Sequence, residues 1–225
     1  MKILECRGLL LDMDGVLVDS TPAVDRVWSA WARTHNFDPA ETVRLAHGRP
    51  SISTVRDLLP NASPEIHLAE NSWVEKAEIE DVSDVIALPG ARELLAAVPP
   101  HQFVVVTSAT RGLAEARLRA AGLLGAVRNM VTASDIQRGK PDPEPYQKGA
   151  AKLGLAPADC IVVEDAAAGV KSGKAAGARV IGVTATTTAD HLRAAGADSI
   201  VANCAQLRIS SQADSATLYV EILTF

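Results

Sequence analysis

Short apolar, β-branched runs recur along the chain, and most are trailed by an Ala- and Leu-rich segment that stops at a glycine. The runs cover residues 3–11, 103–106, 130–132, 161–163, 180–183 and, more weakly, 200–201. They are apolar without alternation, the pattern of strands covered on both faces. The intervening segments, residues 91–98, 112–121, 143–153, 169–176 and 189–195, have helical composition. Gly122, Gly154, Gly177 and Gly196 each stand where a C-cap glycine belongs. Strands alternating with helices predict an α/β fold with a parallel, Rossmann-like sheet between helical layers.

The alternation fails between residues 19 and 88, where no convincing strand is seen. Helices are expected there at 22–35, 52–59 and 64–79, the first started by Pro22 after Asp19, Ser20 and Thr21. An insertion of that size is too large for a simple crossover. Residues 20–88 are therefore expected to form a helical cap, and residues 1–19 plus 89–225 the core. The tail from 206 to 225 has two apolar runs around residues 210–214 and predicts a terminal hairpin.

The chain has 225 residues, 48% hydrophobic and 22% charged, so a buried core with a small second unit is expected and wholesale disorder is excluded. A net charge of −5 excludes a uniformly basic nucleic-acid-binding surface. Cys6, Cys160 and Cys204 are odd in number and lack metal-ligand spacing, so they predict free thiols in a reducing compartment. No secretory h-region opens the sequence, and no apolar run approaches the roughly 18 residues of a membrane span. A cytoplasmic protein without nucleic-acid or membrane partners, monomeric or weakly oligomeric, is the expectation.

Ligands of such sheets gather at the C-terminal ends of the strands. The first run ends in Asp12-Met13-Asp14-Gly15, two carboxylates at i and i+2 that leave the strand on one side. Clustered negative charge is unfavourable without a cation, although Asp and Gly are also ordinary turn residues. The second run ends in Thr107-Ser108-Ala109-Thr110, hydroxyls and small residues that serve either as helix caps or as an anion cradle. After the third comes Lys140 between prolines in Gly139-Lys140-Pro141-Asp142-Pro143. It reads as a solvated surface charge or as a fixed phosphate contact. The fourth ends in Glu164-Asp165, hard oxygen ligands suited to Mg²⁺ or acids favouring a helix N-terminus. Taken together they describe a divalent cation flanked by anion-binding groups, with one carboxylate left as a nucleophile for phosphoryl transfer.

In order, Asp12-x-Asp14-Gly15, Val106-Thr107-Ser108, Lys140-Pro141 and Glu164-Asp165-x-x-x-Gly169 resemble the motifs of haloacid dehalogenase superfamily phosphatases with a helical cap after the first strand. The likeness spans essentially the whole chain and is similar in flavour to sugar and polyol phosphatases and to β-phosphoglucomutase. His47-Gly48-Arg49 resembles the cap His-Gly-x segment of the phosphatases. The resemblance implies that Asp12 is the nucleophile and Asp14 the general acid, then base. It implies Mg²⁺ on the Asp12 carboxylate, the Asp14 carbonyl and Asp165, with Glu164 direct or through water. Ser108, or Thr107 by a one-position shift, would hold the phosphoryl oxygens with neighbouring N–H groups such as that of Ala109. Lys140 would neutralise charge. By their place among the helices of the insertion, His47, Arg49 and Ser51 fall in a candidate substrate loop and Glu75 and Lys76 near the end of the third helix, each reading either as a cleft group or as a solvent-facing polar residue. Trp28 and Trp31 are expected in the cap core.

The expected activity is hydrolysis of small sugar or polyol phosphate monoesters. A phosphomutase shares every core residue, but Val24 stands where β-phosphoglucomutase has an assisting histidine. A phospho-accepting receiver domain shares the acids, hydroxyl and lysine, but lacks the large cap and the second acid at +2.

Overall fold

The computed structural model describes residues 2–211 and 216–223. Strands β1 (Lys2–Cys6) and β2 (Gly8–Leu11) open the chain, and a short strand, β3 (Val18–Asp19), leads into helices α1 (Thr21–Thr34), α2 (Pro39–Ala46), α3 (Ser51–Leu58) and α4 (Pro64–Glu80). The chain returns through β4 (Ile86–Ala87) and α5 (Ala91–Ala97). Strands and helices then alternate as β5 (Phe103–Val106), α6 (Arg111–Ala120), β6 (Met130–Val131), α7 (Glu144–Lys152), β7 (Cys160–Glu164), α8 (Ala167–Ala175), β8 (Arg179–Val183), α9 (Ala189–Ala195) and β9 (Ser199–Val201). Strands β10 (Leu207–Ser211) and β11 (Leu218–Ile222) follow.

Six strands form one parallel sheet in the order β6-β5-β2-β7-β8-β9. β2 lies at its centre, with Leu11 in register with Val105 on one side and Val163 on the other. Leu9, Leu11, Val105, Ile161 and Val163 pack into one apolar cluster, while Leu10, Val104, Val106 and Val162 pack into a second on the opposite face. Both faces are covered, which is the physical reason the strands carry no polar alternation. The order reverses between β2 and β7, and the crevice at such a switch point is where an open α/β sheet takes its ligand.

Three sequence expectations are corrected. Residues 3–11 do not form one strand: β1 pairs antiparallel with β11 in a separate three-stranded sheet, and only β2 enters the parallel one. The burial records the division, since β1 is largely exposed and β2 wholly buried. Within 19–88, β3 and β4 pair antiparallel where the helical segment leaves and rejoins the sheet. The same segment holds a helix that the sequence reading omits, α2, whose N-cap Asp38 accepts a hydrogen bond from the Glu41 amide ahead of Pro39. The expected tail hairpin appears as β10 against β11. Residues 212–214 of its expected turn lie outside the described residues.

Helices α1–α4 surround a core of their own, built from Val24, Val27, Trp28, Trp31, Ala46, Val55 and Val74. Trp31 meets Trp28 edge-on at 5.6 Å and stacks on Phe37 at 5.8 Å, and its Nε1 donates to Glu70 at 2.8 Å. Its burial with a satisfied indole N–H makes it the anchor of this core. The three cysteines are free and buried. Burial pushes the Cys6 thiol up to about 11 and that of Cys204 to about 12. No helix among the described residues is long and apolar enough to cross a membrane. Trp31→Ala is expected to destabilise the protein by about 3–5 kcal/mol, measured by urea unfolding; a loss under about 1 kcal/mol would show that this core does not hold the helices.

Candidate active site

Asp12 follows β2 directly, and its amide extends the ladder by donating to the Val163 carbonyl at 3.0 Å. The chain then turns sharply, the Met13 carbonyl accepting from the amides of Leu17 at 2.8 Å and Val18 at 3.0 Å. Gly15 sits in this turn at φ +75°, and a Cβ there would lie 2.0 Å from Asp165 Oδ2. Only glycine permits both the conformation and that approach. Glu164 ends the neighbouring strand β7 and is completely buried, and Asp165 just after it is nearly so. A Cβ at Gly169 would fall 1.7 Å from Glu164 Oε1, so the spacing from Glu164 to Gly169 leaves room for the carboxylate.

The Lys140 ammonium is buried between these strands. It donates to Asp12 Oδ1 at 2.8 Å, Glu164 Oε1 at 2.6 Å and the Val106 carbonyl at 3.1 Å, which uses its three protons. Glu164 Oε1 also accepts from Tyr146 at 2.9 Å, and its Oε2 from the Ala166 amide at 2.9 Å. Burial and the Glu164 charge push the Asp12 carboxyl up to about 7, against the pull of Lys140. Burial, Glu164 and Asp12 hold the Asp165 carboxyl well above the usual carboxylate range. Burial alone would lower the Lys140 pKa, but the charges of Asp12 and Glu164 outweigh it and raise it. Oxygens of Asp12, Glu164 and Asp165 lie within 4.8 Å of one another. Three crowded carboxylates facing one ammonium leave negative charge unbalanced, and the donors are all hard oxygens. The set fits a divalent cation such as Mg²⁺.

Asp14 lies across the turn. Its Oδ1 accepts from Ser20 Oγ at 2.6 Å and its Oδ2 from Arg117 Nη1 at 3.0 Å. Ser20 is thereby drawn away from capping α1, whose first turn has no side-chain bond from its N-cap. Asp19 Oδ1 accepts from the Thr21 amide instead, at 3.0 Å.

A cavity of about 540 Å³ opens above the carboxylates. Asp12, Asp14 and Asp165 line it, together with Thr107, Ser108 and Ala109 from the end of β5. The Ala109 amide donates to Thr107 Oγ1 at 3.1 Å. From the helical segment, His47, Arg49 and Ser51 reach the cavity. His47 Nε2 is 2.9 Å from Asp25 Oδ1, Arg49 donates to Asp57 at 2.6 Å, and Ser51 donates to Asn71 at 2.6 Å. Val24 and Trp28 also line it, so Trp28 serves the helical core and the cavity wall at once. Lys140 and Glu164 lie beneath this lining, behind Asp12.

Glu75 and Lys76 do not line the cavity, so the cleft-facing alternative is not met for either. Glu75 accepts a short hydrogen bond from Thr110, and exposed Lys76 lies 3.9 Å from Glu80. The inward position is Glu78, which is buried and lines the cavity 3.4 Å from Arg117 Nη2. Burial pushes its carboxyl above the ordinary range, against the charge of Arg117. The sequence reading also omits Arg117, Tyr146 and Thr186, the last of which donates to Asp165. A signal existed for Arg117: it sits in the buried stripe of α6 with Leu113, Ala114 and Leu118, where an unpaired arginine is costly.

A family model described as haloacid dehalogenase-like hydrolase matches residues 6–177. The chain is 42% identical to hexitol phosphatase A of Escherichia coli over 93% of its own length and 96% of that protein's. It is 31% identical to glycerol-1-phosphate phosphohydrolase 2 of Saccharomyces cerevisiae, covering 92% of this chain and 86% of that one. Its fold is shared with a hydrolase from Pseudomonas syringae at a TM-score of 0.79 and 24% identity, over 88% of this chain and 94% of the other. It is also shared with β-phosphoglucomutase from Clostridium difficile at a TM-score of 0.79 and 20% identity, over 90% and 93%. The converging strand tips and the family match lead to one assignment: the chain belongs to the haloacid dehalogenase-like hydrolases.

Proposed function

We propose that the protein is a Mg²⁺-dependent phosphatase of small sugar or polyol phosphate monoesters, acting through an aspartyl phosphate on Asp12. The observation that carries the reading is the convergence of Asp12, Lys140, Glu164 and Asp165 at the tips of adjacent strands, with Asp14 beside them. The hexitol and glycerol phosphatase activities named for its relatives support the substrate class.

In this reading Asp12 attacks phosphorus in line as the bond to the ester oxygen breaks. Asp14 gives that oxygen its proton, so the leaving group departs as an alcohol. Asp14 then takes a proton from water as the water attacks the aspartyl phosphate, which frees inorganic phosphate and restores Asp12. Lys140 offsets the repulsion between a carboxylate nucleophile and an anionic phosphate. Ser108, with Thr107 and Ala109, holds the phosphoryl oxygens. Asp12, Glu164, Asp165 and the Asp14 carbonyl would hold Mg²⁺, which when bound supplies charge neutralisation at the transferring group. Residues 20–88 act as a cap on a core of 1–19 and 89–225, excluding water and reading the leaving group through His47 and Arg49. The unpaired thiols fit a reducing, cytoplasmic setting.

Against a mutase, Val24 stands on the cavity wall at the position where β-phosphoglucomutase has its assisting histidine, and a valine can neither give nor take a proton. A receiver domain would keep its phosphoryl group, whereas an acid at position 14 promotes its loss.

A phosphate-release screen over phosphorylated metabolites, with and without Mg²⁺, tests the reading. Turnover on polyol or sugar phosphates that EDTA abolishes is expected. One stable phosphoryl group per chain, or conversion of a hexose 1-phosphate to its 6-phosphate, would overturn it. Asp12→Asn is expected to cut turnover by about a thousandfold or more while leaving the thermal unfolding midpoint nearly unchanged; substantial residual activity would remove Asp12 as the nucleophile. Asp14→Asn is expected to slow both the burst and the steady state with alkyl phosphates, each by about a hundredfold. Unchanged rates in rapid-quench experiments would contradict its two roles.

A further inference from the structure

Two charged side chains in the cavity wall are given no step of their own in the proposed phosphoryl transfer, although one of them holds Asp14. Arg117 rises from α6 and Glu78 descends from α4, and each side chain is only 6% exposed. Arg117 spends Nη1 on Asp14. Its Nε and Nη2 are buried without a hydrogen-bond partner. Nη2 stands 3.4 Å from Glu78 Oε2, close enough for attraction between charges but too far for a good hydrogen bond. Trp28 also favours the charged form of Glu78, and a carboxylate retains lone pairs for a further donor. Donors and acceptors are therefore both left over in one place on a cavity wall. Leaving buried groups unmatched is costly, and a site built that way favours whatever completes it.

A hydroxyl group is the natural complement, because it accepts from a guanidinium and donates to a carboxylate at the same time. An anion would meet Glu78, and an apolar group would leave both residues unmatched. The guanidinium is a rigid planar fork. With one prong fixed on Asp14, the free donors lie immediately beyond the carboxyl that protonates the ester oxygen. Resting on the phosphatase reading above, we infer that Arg117 and Glu78 form a hydroxyl-reading subsite. It takes the hydroxyl on the carbon next to the phosphorylated carbon of a polyol or open-chain sugar phosphate. Arg117 comes from the sheet side and Glu78 from the helical segment, so the subsite is complete only when both halves meet around the substrate.

The test compares kcat/KM for matched substrates that differ by that one hydroxyl: glycerol 1-phosphate against 1,3-propanediol monophosphate, and glucitol 6-phosphate against its 5-deoxy analogue. The full chain with Mg²⁺ is expected to prefer the vicinal diols by about 10- to 100-fold, the range for hydrogen bonds to charged groups. In Arg117→Met and in the isosteric Glu78→Gln, each checked for folding by circular dichroism, this preference is expected to shrink to about threefold or less. The ratio is unaffected by a general loss of activity, so a merely structural ion pair would leave it unchanged. Equal use of both members of each pair by the wild type overturns the subsite, as does a preference that persists in the folded variants. Release of p-nitrophenol from p-nitrophenyl phosphate in the same preparation reports on the phosphatase reading separately. Hydrolysis there without a diol preference removes the subsite alone, and no hydrolysis of any ester removes both.

Discussion

The site depends on a buried ammonium held between two buried carboxylates. Lys140 touches Asp12 and Glu164 at once, from strand tips that the parallel sheet brings side by side. Removing charge from water is expensive, and pairing offsets it only when geometry and hydrogen bonding are complete. Here Tyr146, the Ala166 amide and the Val106 carbonyl supply the remaining bonds. The cluster still sets three carboxyl groups against one ammonium, and that crowding makes the centre receptive to a dication and then to a phosphoryl group.

The sheet order explains why these residues meet. With β2 central, Asp12 has β7 on one side and β5 on the other. The acids of β7 and the hydroxyls after β5 then flank it without any long loop. The helical segment leaves from the same edge, just after Asp14, so the cavity is walled by sheet and helices together.

Most of this centre is legible in the sequence because each polar group adjoins an uninterrupted apolar run. The strand identifies itself by composition, and the chemistry follows within a few residues. Asp12, Asp14, Ser108, Glu164 and Asp165 are all of this kind, and Lys140 is the exception: it lies beyond β6 in a loop and is marked instead by the prolines that follow it. Arg117, Glu78 and Tyr146 are not, because they lie inside helices and their direction depends on how each helix is rotated and packed. Glu75 and Glu78 differ by three positions on α4, yet one meets Thr110 and the other faces the cavity. The split of residues 3–11 was hidden for a related reason: the partner of β1 is β11, some two hundred residues away, and local composition carries no sign of it.

Ser20 has a consequence for the mechanics of the molecule. It stands between the two-residue strand β3 and the first turn of α1, where the helices join the sheet, and its hydroxyl holds Asp14 rather than capping its own helix. The joint and the acid are thus tied by one hydrogen bond. In the proposed mechanism a tilt of α1 about that joint would re-aim the Asp14 carboxyl against its other partner, Arg117, so the attitude of the helices and the readiness of the proton donor would be linked.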